Sequence, residues 1–157
     1  MKFRIVEIEK YPKAKIYSVI INESESTEFE KFIGLYLEKY KKEVNYLVRK
    51  INKIGNFLGI QDEFFKDQGI SAISRFYNKK TNKKNKTRLR LYCIRRGKQC
   101  LIVGGGGFKP DDKKRWQDVD ELKNIVEILL SIDLYLHENK IDIDASCNNK
   151  TQHEIEE

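Results

Sequence analysis

The stretch that decides the fold is RLRLYCIRRGKQCLIVGGGGFK, residues 88–109. It contains two runs of β-forming residues, 88–96 and 99–103, and Gly97 lies in the short segment between them. A glycine between two such runs is typical of a tight turn that joins antiparallel strands. The stretch therefore predicts a β-hairpin.

The position of the turn sets which residues of the hairpin face each other. A turn at Arg96 and Gly97 predicts three pairs, Cys93 with Cys100, Leu91 with Ile102 and Leu89 with Gly104. Because side chains alternate across a strand, we expect these six residues to share one apolar face. The opposite face is then expected to carry Arg88, Arg90, Tyr92 and Ile94, beside Leu101 and Val103 of the partner strand.

Two features of this hairpin allow more than one interpretation. Facing thiols at Cys93 and Cys100 would suit a redox pair, but buried cysteines in a reducing compartment are more often core residues. The glycine run 104–107 could form an anion-binding nest of backbone amides, but it lacks the Gly-Lys-Ser/Thr ending of a phosphate loop. We therefore expect two core cysteines and a flexible exit from the sheet.

The N-terminal third predicts a second hairpin followed by a long helix. A period-two start at Phe3 and Ile5, a turn around Pro12 and an apolar stretch rich in β-branched residues over 14–21 predict an N-terminal β-hairpin. Thr27 and Glu30 have the spacing of a capping box, which marks the start of a helix. Apolar residues at three- and four-residue steps from Phe29 to Ile54 predict one continuous helix with a buried stripe.

The order of elements predicts an α+β fold, an antiparallel sheet with helices packed on one face. A strand is predicted within residues 70–77 and a second long helix over 118–137. Residues 1–141 are expected to form a single domain. Residues 142–157 are acidic and poor in apolar side chains, so they are expected to form a disordered tail.

Basic residues are concentrated in one part of the chain. The 157 residues carry a net charge of +7, and residues 79–115 alone carry 14 basic and 2 acidic side chains, whereas residues 116–157 carry 3 and 11. Clustered Lys and Arg neutralise phosphates and release counterions, so a polyanion is the expected partner. Residues 78–87 are expected to form an exposed basic loop.

The composition argues against several other classes of protein. No apolar run approaches the roughly 20 residues of a transmembrane helix, and the first residues lack a signal-peptide core, so we expect a cytoplasmic chain without a membrane partner. Three cysteines without paired spacing support neither a disulfide framework nor a zinc site. Two histidines give little support for histidine-dependent nucleophilic catalysis. We expect no metal and no cofactor.

The remaining residue types suit RNA. Guanidinium groups bind phosphates bidentately, and Tyr or Arg can stack on an unstacked base. RNA can be cleaved by its own 2′-hydroxyl without a metal when cations stabilise the phosphorane and a side chain moves protons. We predict Arg90 and Lys109 as charge stabilisers, and Tyr92 or Lys113 as proton carriers. The predicted RNA-binding residues are Lys83, Lys84, Lys86, Arg88, Arg95, Arg96, Lys114 and Arg115.

Residues 70–137 resemble the core of the RelE/HigB-like toxins of bacterial toxin–antitoxin systems. The shared pattern is an arginine-rich strand with a tyrosine, a turn, an apolar strand, a basic exit and a C-terminal helix. The resemblance implies a RelE-like fold and a ribosome-associated, metal-independent mRNA endoribonuclease that inhibits translation. The implied partners are mRNA, the ribosome and a cognate antitoxin protein. By position, Arg90 would be the strand arginine that faces the substrate phosphate, and Lys109 the basic residue after the last strand.

Two functions from other classes remain open on the sequence alone. A non-catalytic nucleic-acid-binding or mobile-element accessory protein would use the same basic surface. A plain interaction module would use its acidic C-terminal segment to screen its own basic patch. In either case the face with Arg90 and Tyr92 could be a solvated sheet face whose aromatic ring covers its neighbours.

Overall fold

Eight β-strands and three α-helices make up the described part of the chain. The structure is a computed structural model and describes residues 1–61, 70–73, 77–78, 83–84, 89–96, 99–109, 119–143 and 151–156. The strands are β1 (Lys2–Glu9), β2 (Lys15–Ile21), β3 (Ile70–Ala72), β4 (Tyr77–Asn78), β5 (Lys83–Lys84), β6 (Leu89–Arg96), β7 (Cys100–Phe108) and β8 (His153–Glu154). The helices are α1 (Glu28–Tyr36), α2 (Lys41–Lys53) and α3 (Asp120–Glu138), and a π-helical turn, Ile54–Leu58, follows α2.

Six strands form one mixed sheet in the order β3–β6–β7–β2–β1–β8. The predicted N-terminal hairpin is confirmed, since β1 and β2 pair antiparallel. In contrast, β2 and β7 run parallel. Parallel neighbours need a long crossover connection, and α1 and α2 lie in the chain between these two strands. The prediction of an α+β fold is confirmed, but the prediction of a wholly antiparallel sheet is wrong.

The helices cover both faces of the sheet, so the prediction of helices on one face is also wrong. Phe32 of α1 and Leu47 of α2 belong to a core that includes Leu101 of β7. Leu129 of α3 belongs to a second core that includes Ile102. Adjacent residues of a strand point to opposite faces, so the two cores lie on opposite sides of β7.

The β6–β7 hairpin has a different register from the predicted one. Arg96 pairs with Cys100, and Cys93 pairs with Val103. Three residues therefore separate the paired positions 96 and 100, and this longer connection shifts the whole ladder. Cys93 lies in the core beneath α1 and α2, whereas Cys100 packs on the core beneath α3. The predicted pairs Cys93 with Cys100, Leu91 with Ile102 and Leu89 with Gly104 are wrong, and the two thiols do not face each other.

The glycine run 104–107 is the second half of β7 and is buried, so it is neither a flexible exit nor an anion nest. A Cβ at Gly104 would lie 2.6 Å from a methyl group of Leu129 on α3. A Cβ at Gly106 would lie 2.9 Å from the ring of Phe32 on α1. The glycines therefore allow helices to approach the same strand closely from both sides.

The long helix predicted from residue 27 to residue 54 is divided into α1 and α2. Its start is confirmed, because Thr27 and Glu30 form the predicted capping box. The buried stripe is also present, but α1 ends at Tyr36 and α2 begins at Lys41. The second predicted helix, 118–137, is observed as α3, Asp120–Glu138.

Two segments expected to lack regular structure contain short strands. Within the predicted basic loop 78–87, β5 pairs antiparallel with β4. Within the predicted tail 142–157, β8 pairs with β1 at the edge of the sheet, and Ile143 and His153 are buried. The described part of the tail therefore packs on the domain, contrary to expectation. Among the described helices, none combines the length and apolar character needed to cross a membrane.

Candidate functional site

The two residues predicted to stabilise charge lie at the same end of the sheet. Arg90 of β6 pairs with Gly107 of β7, and Lys109 follows two residues after Gly107. Arg90 and Lys109 are therefore diagonal neighbours across two hydrogen-bonded strands. Their exposed fractions are only 6% and 8%. Burial of two cationic side chains at one end of the central strands is unusual, since Lys and Arg are rarely fully buried.

The start of α2 packs against this end of the sheet. The ring of Tyr40, the residue before α2, stacks on Phe108 with 5.8 Å between ring centroids and 27° between ring planes. Phe108 precedes Lys109 and pairs with Leu89. These contacts place the start of α2 at the same end of the sheet as Arg90 and Lys109.

Glu43 of α2 is a functional candidate that the sequence analysis missed. Its carboxylate accepts a hydrogen bond from the backbone of Leu89, the residue before Arg90. Its Oε2 atom is buried and has no hydrogen-bond partner among the described residues. An acidic residue within the apolar stripe of α2, next to Val44 and one turn before Leu47, was the signal that could have revealed it.

The surroundings of Glu43 favour its protonated form. Burial raises the pKa of the Glu43 carboxyl above its usual value, and the hydrogen bond from Leu89 and the positive charge of Arg90 partly oppose that rise. A carboxyl group can serve as a general acid or base, and a raised pKa makes it a stronger base than an ordinary carboxylate. The arrangement therefore combines a proton-transfer group with two cations.

Aromatic rings extend from this cluster along α1. Tyr36 lies 6.3 Å from Tyr40, measured between ring centroids. The Tyr36 hydroxyl donates a 3.0 Å hydrogen bond to Oε1 of Glu121, in the first turn of α3. The end of the sheet is therefore bordered by α1, by the start of α2 and by the start of α3.

Tyr92 is not on an open sheet face, contrary to the expectation from the sequence. It belongs to the core beneath α3 and is buried. Burial raises the pKa of the Tyr92 phenol to about 12, although the charge of Arg90 opposes that rise. Tyr92 is consequently a poor proton carrier near neutral pH, and α3 prevents RNA from stacking on this face.

The other described arginines of the hairpin lie at the opposite end of β6. Arg96 donates a 2.9 Å hydrogen bond to Oδ1 of Asp133 on α3, and the two side chains form an ion pair. Six residues of extended strand separate Arg90 from Arg96, which corresponds to about 20 Å. Arg95 and Arg96 are therefore not part of the cluster around Arg90.

The positions of the remaining predicted site residues relative to Arg90 and Lys109 are not described. Lys83 and Lys84 form β5, and only their backbone pairing is described. Arg88, Lys86, Lys113, Lys114 and Arg115 lie outside the described residues.

Neither a metal centre within the described residues nor a similar protein identifies the chemistry of the site. Among these residues, no group of three or more His, Cys, Asp or Glu side chains is arranged to hold a metal ion. Comparison with protein-family models, with curated proteins and with solved structures found no match to this chain. The candidate site therefore depends on its geometry alone.

Proposed function

We propose that this chain is a RelE/HigB-like toxin, a ribosome-associated endoribonuclease that cleaves mRNA without a metal and so inhibits translation. The observation that carries the proposal is the position of Arg90, Lys109 and Glu43 at one end of the central strands. Two cations can stabilise the charge of the phosphorane and a carboxyl group can move a proton, so these three groups suit phosphodiester cleavage by an RNA 2′-hydroxyl.

Each residue has a role in the proposed reaction. The Glu43 carboxylate accepts the proton of the 2′-hydroxyl, and the 2′-oxygen attacks the adjacent phosphorus. Arg90 and Lys109 stabilise the charge that develops on the phosphorane oxygens. The bond from phosphorus to the 5′-oxygen then breaks, the leaving oxygen takes up a proton from water, and Glu43 releases its proton to solvent. The products are a 2′,3′-cyclic phosphate and a 5′-hydroxyl end, and no cofactor is consumed.

The proposed partners follow from the same function. mRNA is the substrate and the ribosome positions it, so that Arg90 and Lys109 meet one phosphate of a defined codon. A cognate antitoxin protein would neutralise the chain in the cell, and a cytoplasmic location follows from these partners.

The proposal is tested by induced expression in a bacterial host, with growth and new mRNA 5′ ends as the readouts. Arg90→Ala is compared with Arg96→Ala, a matched control that removes an arginine from the other end of the same strand. We expect growth arrest and new 5′-hydroxyl ends with the wild type and Arg96→Ala, and neither with Arg90→Ala at equal soluble protein. Normal growth with intact mRNA from well-expressed wild type would refute the nuclease.

A non-catalytic nucleic-acid-binding protein is the second candidate, and one observation favours it. Arg90 and Lys109 are almost fully buried, so a phosphate reaches them only if their surroundings move, whereas binding without cleavage can rely on exposed basic residues. A binding protein would retain RNA with a steep salt dependence and produce no cleaved strand. Incubation of purified protein with programmed ribosomes distinguishes the two functions, because only the nuclease generates new mRNA ends.

A further inference from the structure

A second basic surface lies on α2, outside the segment that the sequence analysis singled out. The 13 residues of α2, KKEVNYLVRKINK, include five basic side chains and one acidic side chain. The acidic residue is Glu43, which points into the candidate site. The outer face of the helix therefore has a strong positive charge.

The basic residues of α2 are arranged on one side of the helix. The buried residues Val44, Leu47 and Ile51 define its inner stripe. At about 100° per residue, the basic residues fall on about half of the circumference, centred opposite this stripe. They are Lys41, Lys42, Arg49, Lys50 and Lys53, and all except Lys50 are exposed.

We propose that this face of α2 is a docking surface for the phosphate backbone of double-stranded RNA. Charge complementarity indicates a polyanion, because within α2 no acidic side chain is available on the outer face to neutralise the lysines. A helix of 13 residues is about 20 Å long and can therefore follow several successive phosphates.

The shape of the surface favours duplex over single-stranded RNA. Single strands are held in grooves with aromatic platforms, on which the bases stack. The face of α2 is convex, and Tyr46, the aromatic residue on it, is half-buried with Lys50 Nζ 5.7 Å from its ring centroid. Duplex RNA is recognised mainly by its shape and its phosphates, which a row of lysines can contact.

The same features argue against a membrane or an acidic peptide as the partner. A helix that lies in a membrane interface inserts an apolar face into the lipid. The apolar face of α2 is buried in the core beneath the sheet, so only its basic face is available. An acidic peptide would match the charge, but Val44, Leu47 and Ile51, the apolar residues of α2 that could contact its side chains, are buried.

The docking surface is tested by measuring how the 157-residue chain binds a 24-base-pair RNA duplex as the salt concentration is varied. The test variant is Lys42→Gln/Arg49→Gln/Lys53→Gln. Its control, Lys2→Gln/Lys10→Gln/Lys123→Gln, removes the same charge from exposed lysines elsewhere. Gln has nearly the same helix propensity as Lys and Arg, so folding is expected to be unaffected. Circular dichroism checks that all proteins are folded.

We expect the α2 variant to bind the duplex about tenfold more weakly than the control at 0.1 M salt. We also expect its plot of log affinity against log salt to be shallower by about three, since each phosphate contact contributes about one to the slope. Equal affinity and equal slope for the two variants would overturn the proposal. Equally effective competition by polyglutamate would indicate an acidic protein instead, and binding to anionic vesicles rather than to duplex would indicate a membrane.

The binding test is independent of cleavage. Lys2→Gln/Lys10→Gln/Lys123→Gln should retain a duplex affinity close to that of the wild type, because these exposed lysines lie outside α2. A chain that binds the duplex through α2 and cleaves no mRNA would support the docking surface and refute the nuclease. A chain that cleaves mRNA and does not bind the duplex would support the nuclease and refute the docking surface.

Discussion

The Tyr36 hydroxyl donates a 3.0 Å hydrogen bond to Oε1 of Glu121, and this bond joins two helices that pack on opposite faces of the sheet. The helices can approach each other here because glycines occupy positions 104–107 in the second half of β7. A Cβ at Gly107 would lie 3.0 Å from a methyl group of Leu122 and 3.4 Å from the Glu121 carboxyl carbon. A larger residue at position 107 would therefore push the start of α3 away from the end of the sheet.

Removing this hydrogen bond is expected to loosen α3 slightly. Tyr36→Phe should lower the free energy of unfolding by about 0.5–1.5 kcal/mol at pH 7, the usual net value of one hydrogen bond. Burial and the Glu121 carboxylate raise the pKa of Tyr36 from 10.0 to about 12. The bond's contribution is therefore present in full below pH 10 and lost as the pH rises towards 12. Urea denaturation of Tyr36→Phe, Glu121→Gln and the double variant measures the coupling, and additive effects of the two substitutions would contradict it.

The glycine run gives a second prediction, for which the chain offers a matched control. A Cβ at Gly106 would overlap the carbonyl group of Arg90 on the neighbouring strand, and neither backbone can move easily. We expect Gly106→Ala to cost about 3 kcal/mol or more, through overpacking within the sheet. A Cβ at Gly105 would have a side-chain oxygen of Glu28 as its nearest neighbour, at 3.5 Å, so Gly105→Ala should be tolerated. Thermal denaturation of the two variants provides the comparison. Equal melting temperatures would show that β6 and β7 leave room for a Cβ at position 106.

Glu43 is expected to reduce stability while it supports activity. Burial raises its pKa, so between the unfolded value of 4.5 and the higher folded value the folded protein binds more protons than the unfolded protein. Wild-type stability should therefore fall, relative to Glu43→Gln, as the pH rises through this range. Glu43→Gln should unfold at a higher urea concentration than the wild type at pH 7, and the two should converge below pH 4.5.

The activity of the same variant separates a functional role from a structural one. If Glu43 moves a proton, Glu43→Gln loses mRNA cleavage although it is more stable. Glu38→Gln is the control, because Glu38 is an exposed acidic residue of the link between α1 and α2. Glu38→Gln should change neither mRNA cleavage nor the urea concentration at which the protein unfolds. Full cleavage by Glu43→Gln would remove this residue from the proposed mechanism.

The local elements were predictable from the sequence because their signals are local. The capping box at Thr27, the alternation in β1 and β2, and the helical spacing in α3 each depend on residues close in the chain. The break between α1 and α2 was not predictable, since no glycine or proline occurs in residues 37–40.

Long-range pairing was harder to predict than the elements. The parallel contact between β2 and β7 joins residues 85 positions apart, and no local pattern encodes it. The Gly104–Gly107 run was misread because glycine is typical of loops, whereas here close helix packing requires it. Charge made Arg90 and Lys109 candidates from the sequence, whereas Glu43 became a candidate only when the register placed Leu89 beside α2.

His153 gives the last prediction, a loss of β8 pairing in mild acid. Its ring lies 5.1 Å from that of Phe3 and 5.6 Å from that of Tyr135, measured between centroids. Burial lowers the pKa of His153 below 6.5. The folded protein therefore binds fewer protons than the unfolded protein between the lowered pKa and 6.5. Stability is complete above pH 6.5 and falls as the pH drops through the lowered value.

The backbone amide of Ile155 reports this change directly, because it donates a 2.8 Å hydrogen bond to the Met1 carbonyl beside β8. Hydrogen exchange measured by NMR, corrected for the intrinsic effect of pH, should show less protection of this amide at pH 5 than at pH 7. His153→Phe keeps an apolar ring between Phe3 and Tyr135 but cannot be protonated, so its protection should be the same at both pH values. If both proteins lose the same protection, another group causes the acid sensitivity of this edge of the sheet.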